Sequence, residues 1–320
     1  MKIPNRIAAA ALALAACLAP LASPGPAAAA DGPLQVAATL SDLGCVARAV
    51  GGPDVEVTVL CPGGMDPHYL PAKPSLSRKL GQSDALLFNG LELEIGWLPP
   101  LLEKARNPRV RAGAPGMIDC SAALDAVLDV PSGAVDRGLG DIHPQGNPHY
   151  TVDPRRMIAV VQFVGRRFGE LDPPHAAAYH DRAEAYAAML KERLPVWQER
   201  TAALRHRHVL LNHQHWNYLC DWLGLDVIGE IEHRPGIAAS PRHVQDMVEK
   251  SRALGDVVIV AAGWDHFDVV REIADRAGAS LAVLPGHAGA EAGTDDYVAF
   301  LDEVTRRLAA AAASPGGERP

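Results

Sequence analysis

Three histidines sit in short, dissimilar motifs far apart in the chain: Asp66-Pro67-His68, Asn147-Pro148-His149 and Asn212-His213-Gln214-His215-Trp216. A neutral imidazole is the commonest protein ligand for a borderline transition metal such as zinc. Ligands this dispersed meet at the mouth of a folded cleft and not within a self-contained finger, so metal capture is the chemistry they point to. Taken singly, each is more simply a loop or core histidine satisfied by hydrogen bonds; three in matching topological places favour ligation. His213 and His215 also form an HxH pair, a spacing found on strand ends in zinc hydrolases. An exported zinc-dependent hydrolase is therefore the alternative reading. Glu92 and Glu94 resemble a catalytic carboxylate pair, but at i and i+2 they need not converge, and a solvated or structural role is expected. The chain has no GxSxG elbow, Walker loop or HExxH helix. The preferred reading is a binding protein and not an enzyme.

Each histidine motif lies where a strand should run out into a loop. Short apolar runs at Leu34 to Ala38, Val55 to Leu60 and Ala85 to Phe88 read as strands, with helical patterns at Ser41 to Val50, Leu76 to Ser83 and Leu93 to Ala105. Residues 126 to 148 carry Pro131, Gly133, Gly138, Gly140, Pro144 and Gly146 and read as a surface loop. Asp153-Pro154 starts a helix. Asp172 with Pro173 starts another, whose face Tyr179, Ala183, Tyr186, Leu190, Leu194 and Trp197 recurs at steps of three and four. Continued to Ala203, it would be about 45 Å long at about 1.5 Å per residue, with a kink expected at Pro195. The alternation then resumes. Strands are expected at Val209 to Leu211, Val227 to Ile231, Val257 to Ala261 and Leu281 to Leu284. Helices are expected up to Leu223, at Pro241 to Leu254, Phe267 to Ala277 and Asp295 to Ala311. The fold class is α/β: two Rossmann-like parallel-sheet lobes joined by one long helix. Ligands in such sheets bind outside the strand ends, which is where the histidines fall.

The first 30 residues read as an export signal. Lys2 and Arg6 precede an Ala/Leu-rich stretch from Ile7 to Ala22, and Ala27 to Ala30 supply small residues for cleavage before Asp31. Pro20, Pro24 and Pro26 argue against a membrane span. Leu14-Ala15-Ala16-Cys17 has the form of a lipoprotein box, but the apolar run continues past Cys17, so a lipid anchor there is disfavoured. The chain has a formal charge of −8, and loss of Lys2 and Arg6 would leave −10, a poor balance for binding nucleic acid. The expected organisation is a leader at 1–30, a first α/β lobe at 31–172, the long helix at 173–204, a second lobe at 205–313 and a disordered tail at 314–320. Cys45, Cys61, Cys120 and Cys220 remain after the leader, and an even count in an exported chain suggests disulfides, with Cys45–Cys61 preferred.

The same motifs resemble the periplasmic solute-binding proteins of bacterial zinc and manganese ABC transporters, the cluster A-I, ZnuA/TroA-like family. The first family pattern is matched by Asp66-Pro67-His68, Lys73-Pro74-Ser75, Asp84-Ala85 and Asn89-Gly90-Leu91-Glu92-Leu93-Glu94. The second is matched by Asn147-Pro148-His149 with Asp153-Pro154, Thr151 replacing the usual aromatic. The third is His213-Gln214-His215-Trp216-Asn217-Tyr218-Leu219, whose alignment selects His213 over His215 as the ligand. The resemblance covers essentially the whole chain after the leader. It implies a metal held between two lobes bridged by one helix, export to the periplasm, and delivery to an ABC permease driven by a cytoplasmic ATPase. A monomer is expected. The family usually places an Asp or Glu just after the last strand. Here the segment is Leu284-Pro285-Gly286-His287-Ala288-Gly289, so the implied ligand set is His68, His149, His213 and His287. Glu232, Asp265, His266 or a water compete for the fourth place. Imidazole-rich sites suit zinc better than manganese, although copper and nickel also accept imidazole. Only His143 occupies the stretch where many zinc members are His-rich, and it is expected to be a loop residue and not a ligand.

Overall fold

The computed structural model describes residues 32–133, 142–232, 236–265 and 267–313. The leader, the C-terminal tail and His266 lie outside the described residues. The first sheet is built from β1 (Leu34–Leu40), β2 (Val55–Cys61), β3 (Ala85–Phe88) and β4 (Met117–Asp119), all parallel, in the order β2-β1-β3-β4. The second is built from β5 (His208–Leu211), β6 (Asp226–Glu230), β7 (Val258–Ala262) and β8 (Ser280–Leu284), again parallel, in the order β6-β5-β7-β8. The two sheets therefore share one topology. Val36 sits opposite Val57 and Ala85 in the first, and Val209 opposite Val227 and Val258 in the second.

Side chains alternate between the two faces of each sheet, because successive residues of a strand point oppositely. Val36, Ala38 and Leu40 enter one large core together with Ala85 and Leu87, while Ala37 and Leu86 face the other side. The same core takes Val209, Leu211, Val258 and Val260 from the second sheet, so the inner faces of both sheets belong to one apolar cluster. The outer face of the first sheet is covered by α2 (Pro74–Gln82) and α3 (Leu98–Ala105). That of the second is covered by α7 (Pro241–Leu254) and α8 (Phe267–Ala277). Three further helices are α1 (Ser41–Gly51), α6 (Asn217–Leu223) and α9 (Tyr297–Ala313).

The long helix differs from expectation. Pro173–His175 forms a 3-10 turn, and the α-helix α5 runs over Ala176–Arg200, with Pro195 inside it. Its 25 residues span about 38 Å. Beside it lies α4 (Pro154–Leu171), capped by Asp153, whose carboxylate accepts the Arg155 N–H. Close packing of the two requires Gly165: a Cβ there would stand 2.6 Å from that of Ala183. Near its start α5 ties to the first sheet's helix layer through Arg182, which donates to Val50 O at 2.7 Å. Near its end Trp197 Nε1 donates to Asp302 on α9 at 2.9 Å. One helix thus braces both sheets.

The expected Cys45–Cys61 bridge is corrected by the structure: all four described cysteines are buried free thiols. Cys45 lies in the inner core and Cys61 in the outer cluster of the first sheet, so the sheet itself separates them. Among the described residues no helix is long and apolar enough to cross a membrane.

Candidate metal centre

The C-terminal ends of β2 and β5 and the long loop after β4 converge on a cavity of about 580 Å³. Its lining includes Asp66, His68, Tyr69, His149, His213, His215, Glu232, Trp264 and Asp265.

The backbone reason for the Asp-Pro-His and Asn-Pro-His motifs is the same in both. Asp66 Oδ1 accepts the peptide N–H of His68 at 2.9 Å, and Asn147 Oδ1 accepts that of His149 at 2.9 Å. Each is an Asx turn with proline at its centre, and the proline restricts the local backbone so that the following imidazole is aimed. His213 does likewise with its ring: Nδ1 accepts the His215 N–H at 3.0 Å and caps the turn Gln214–Trp216. The turns are also tied together. Asn147 Nδ2 donates to Gln214 O at 2.9 Å, Tyr218 OH donates to Asn147 O at 2.9 Å, and Trp97 Nε1 donates to Pro67 O at 2.8 Å. Asn89, at the end of β3, donates to Pro148 O at 2.8 Å and accepts the Tyr150 hydroxyl on its carbonyl at 2.8 Å.

These supports bring His68, His149 and His213 together, with one ligand atom from each within 4.8 Å of the others. The ring centroids stand 5.0 to 5.5 Å apart, from His149 and His213 on His68. His68 Nδ1 lies 2.8 Å from Asp66 Oδ1; a carboxylate only accepts, so Nδ1 carries the proton and Nε2 presents its lone pair. The arrangement is the carboxylate–histidine pair that orients metal ligands. Burial, reinforced by the neighbouring imidazoles, holds the His149 pKa well below its usual value, and it depresses His213 to about 3. Both rings are therefore neutral and able to donate a lone pair at neutral pH. Among the described residues, His149 Nε2 is buried with no hydrogen-bond partner.

His287 stands apart from this trio. It is buried behind His215, their ring centroids 5.3 Å apart, and its Nδ1 lies 2.6 Å from Asp42 Oδ2 on α1. Its Nε2, like that of His149, is buried without a partner among the described residues. His143 is buried too, although it belongs to the Pro/Gly-rich loop, and its Nε2 lies 3.3 Å from His68 Nε2. Asp265 lines the cavity, accepts the Ala262 N–H at 2.7 Å, and is pushed up to about 7 by burial. His215 has both ring nitrogens engaged, Nδ1 with His149 Nδ1 at 3.2 Å and Nε2 with Gly286 O at 3.2 Å. The HxH pair therefore does not present two ligands to one ion, which removes the geometric basis of the hydrolase reading.

Glu94 has a structural role and is 3% exposed. It accepts the Thr39 hydroxyl at 2.6 Å and the Asn89 N–H at 2.7 Å, linking the ends of β1 and β3. Sequence reasoning missed Asp42 and the placement of His215, and it read His143 as a loop residue where the structure buries it beside His68. Residue type was the only signal for them, since their partners lie far away in the chain.

Comparisons with known proteins agree with the two-sheet fold. A family model described as "ZnuA: Zinc-uptake complex component A periplasmic" matches residues 36–311. The manganese-binding lipoprotein MntA of Halalkalibacterium halodurans is 27% identical over 223 residues, 68% of either chain. The structure of the solute-binding protein FpvC of Pseudomonas aeruginosa, solved with Mn2+, is 26% identical, with a TM-score of 0.67 over 88% of this chain and 97% of that one. A zinc-bound deletion mutant of ZnuA shares the fold, at 20% identity and a TM-score of 0.70 over 90% of this chain and 100% of that one.

Proposed function

The chain belongs to the ZnuA family of zinc-uptake components, and on that premise we propose that it captures zinc and delivers it to an ABC permease for import. It is a metal-binding substrate-binding component of an ABC transporter, a non-enzymatic role. Such components work with a membrane permease and an ATPase.

The observation that carries the reading is the trio His68, His149 and His213, whose ligand atoms come within 4.8 Å of one another at a cavity between strand ends. The ligand set we propose is these three plus one further group, with His287 as the sequence-based candidate for that place. Zinc is favoured over manganese because the trio is all imidazole, and softer nitrogen donors suit zinc where manganese prefers carboxylate and water. The relatives' names do not favour zinc, since MntA and the FpvC structure point to manganese and only the ZnuA mutant structure among those compared points to zinc, so the ligand chemistry is what supports zinc. Binding to ligands scattered over the sequence stabilises only the folded state, so capture also raises stability by mass action. We place the protein in the periplasm as an exported monomer, with 1–30 as leader and a lipid anchor at Cys17 disfavoured. The lobes are 31–172 and 205–313, joined by 173–204.

Isothermal titration of the metal-free protein tests this. One zinc per chain is expected, with manganese bound more weakly, and His68→Ala or His149→Ala each weakening zinc strongly. Wild-type affinity in both variants would overturn the site, and tighter manganese binding would overturn the choice of ion.

A further inference from the structure

We propose that His215 is a positioning residue for the metal site: it holds His149 in the one tautomer that turns a bare Nε2 lone pair toward the ion. The inference rests on the carrier reading above and says how one ligand of that site is set.

Two hydrogen bonds fix the tautomers of His215 and His149. Gly286 O lies 3.2 Å from His215 Nε2, and a carbonyl oxygen only accepts, so His215 Nε2 carries the proton. A buried neutral ring has a single N–H, so His215 Nδ1 is a lone pair. That atom is 3.2 Å from His149 Nδ1. Two facing lone pairs would repel, so His149 Nδ1 carries a proton and donates it. His149 is then left with its lone pair on Nε2, which is the atom buried without a partner among the described residues. The hydrogen-bond chain and the orphaned atom are separate observations, and they select the same nitrogen.

His215 cannot readily turn away from this task. Trp216 meets its ring edge-on at 4.5 Å, and Trp264 does so at 5.5 Å. Gly286 is fixed in turn by Trp264, whose ring would lie 1.8 Å from a Cβ at that position. The loop after β8 thereby acts on the site through a peptide carbonyl. A metal-binding histidine usually gives its second N–H to a carboxylate or carbonyl. Here a second imidazole stands between the ligand and that carbonyl.

The test uses the full chain without its leader, in the wild type, His215→Phe and His215→Asn. Phenylalanine keeps the ring's shape but removes the acceptor; asparagine offers Oδ1 near the place of Nδ1. Zinc affinity is expected to fall about 10- to 100-fold in His215→Phe and to recover most of that loss in His215→Asn. A space-filling role predicts the reverse order. Long-range ¹H–¹⁵N spectra of the metal-free wild type should show His149 protonated on Nδ1, with the Nε2–H form emerging in His215→Phe. A His149 protonated on Nε2 in the wild type, or wild-type zinc affinity in His215→Phe, would overturn the inference. The tautomer is read without metal, so it still decides if a variant fails to fold. Failure of the wild type to bind zinc would instead strike the carrier reading.

Discussion

Asp42 and His287 are joined at 2.6 Å although 245 positions separate them, and both are almost fully buried. The second carboxylate oxygen of Asp42 accepts the Ala288 N–H at 2.7 Å. One side chain at the start of α1 thus grips the loop after β8 and links the first sheet to the second. Removing it strands a buried ring N–H and a buried peptide N–H together. Asp42→Ala is therefore expected to cost about 3 kcal/mol of unfolding free energy, with Asp42→Asn costing less because it keeps an acceptor. Urea denaturation of the metal-free protein checks this, and a loss below about 1 kcal/mol would show the contact to be incidental.

Glu94 predicts a pH dependence. Burial pushes its carboxyl up to about 7, in opposition to the bonds from Thr39, Asn89 and Gly90. The folded state therefore holds the proton more tightly than the unfolded chain does. Its contribution to stability is full below the unfolded carboxylate value and is lost as pH rises through the folded value. Across the window from about pH 4.5 to about pH 7 the loss is on the order of 3 kcal/mol. Glu94→Gln should flatten this slope, whatever it does to absolute stability. Equal slopes in the wild type and the variant would refute the assignment.

The strands and the histidine motifs were legible because their signals are local. Alternating apolar residues such as Val55, Val57 and Val59 report a half-buried strand directly, and Asp66-Pro67 and Asn147-Pro148 report Asx turns whose partner is two residues on. The strand β4 was missed because Met117–Asp119 is too short to show a period. The single long helix expected from residue 173 begins instead as a 3-10 turn, and α5 starts only after His175, whose φ of −102° and ψ of 8° lie outside the α-helical region. The roles of Asp42, His143 and His215 depend on partners brought from the far end of the chain or from another loop. No local pattern encodes such a contact.

The cysteines give a chemical prediction. Burial raises the Cys45 thiol to about 11 and Cys61 to about 12, so almost no thiolate is present at neutral pH. In the chain lacking its leader, four thiols should react with a colorimetric thiol reagent after unfolding and almost none before it. Reductant should leave the thermal midpoint unchanged. Two reactive thiols in the unfolded, unreduced protein would reveal a bridge.

His213 is the one member of the trio whose tautomer is set against ligation through Nε2. His68 and His149 both use Nδ1 as a donor, toward Asp66 and His215, and so keep Nε2 unprotonated. His213 Nδ1 instead accepts the His215 peptide N–H, which places the ring proton of a neutral His213 on Nε2. Coordination through Nε2 with that bond intact would require an imidazolate, an expensive species at neutral pH. Coordination through Nδ1, or through Nε2 after the ring turns over, breaks the bond. Either route releases the His215 N–H. Zinc should therefore shift the His215 amide resonance and speed its hydrogen exchange, while the Asx-turn amides of His68 and His149 keep their protection. A His215 amide unchanged at saturating zinc would mean that His213 is not a ligand and that His68 and His149 hold the ion with other partners.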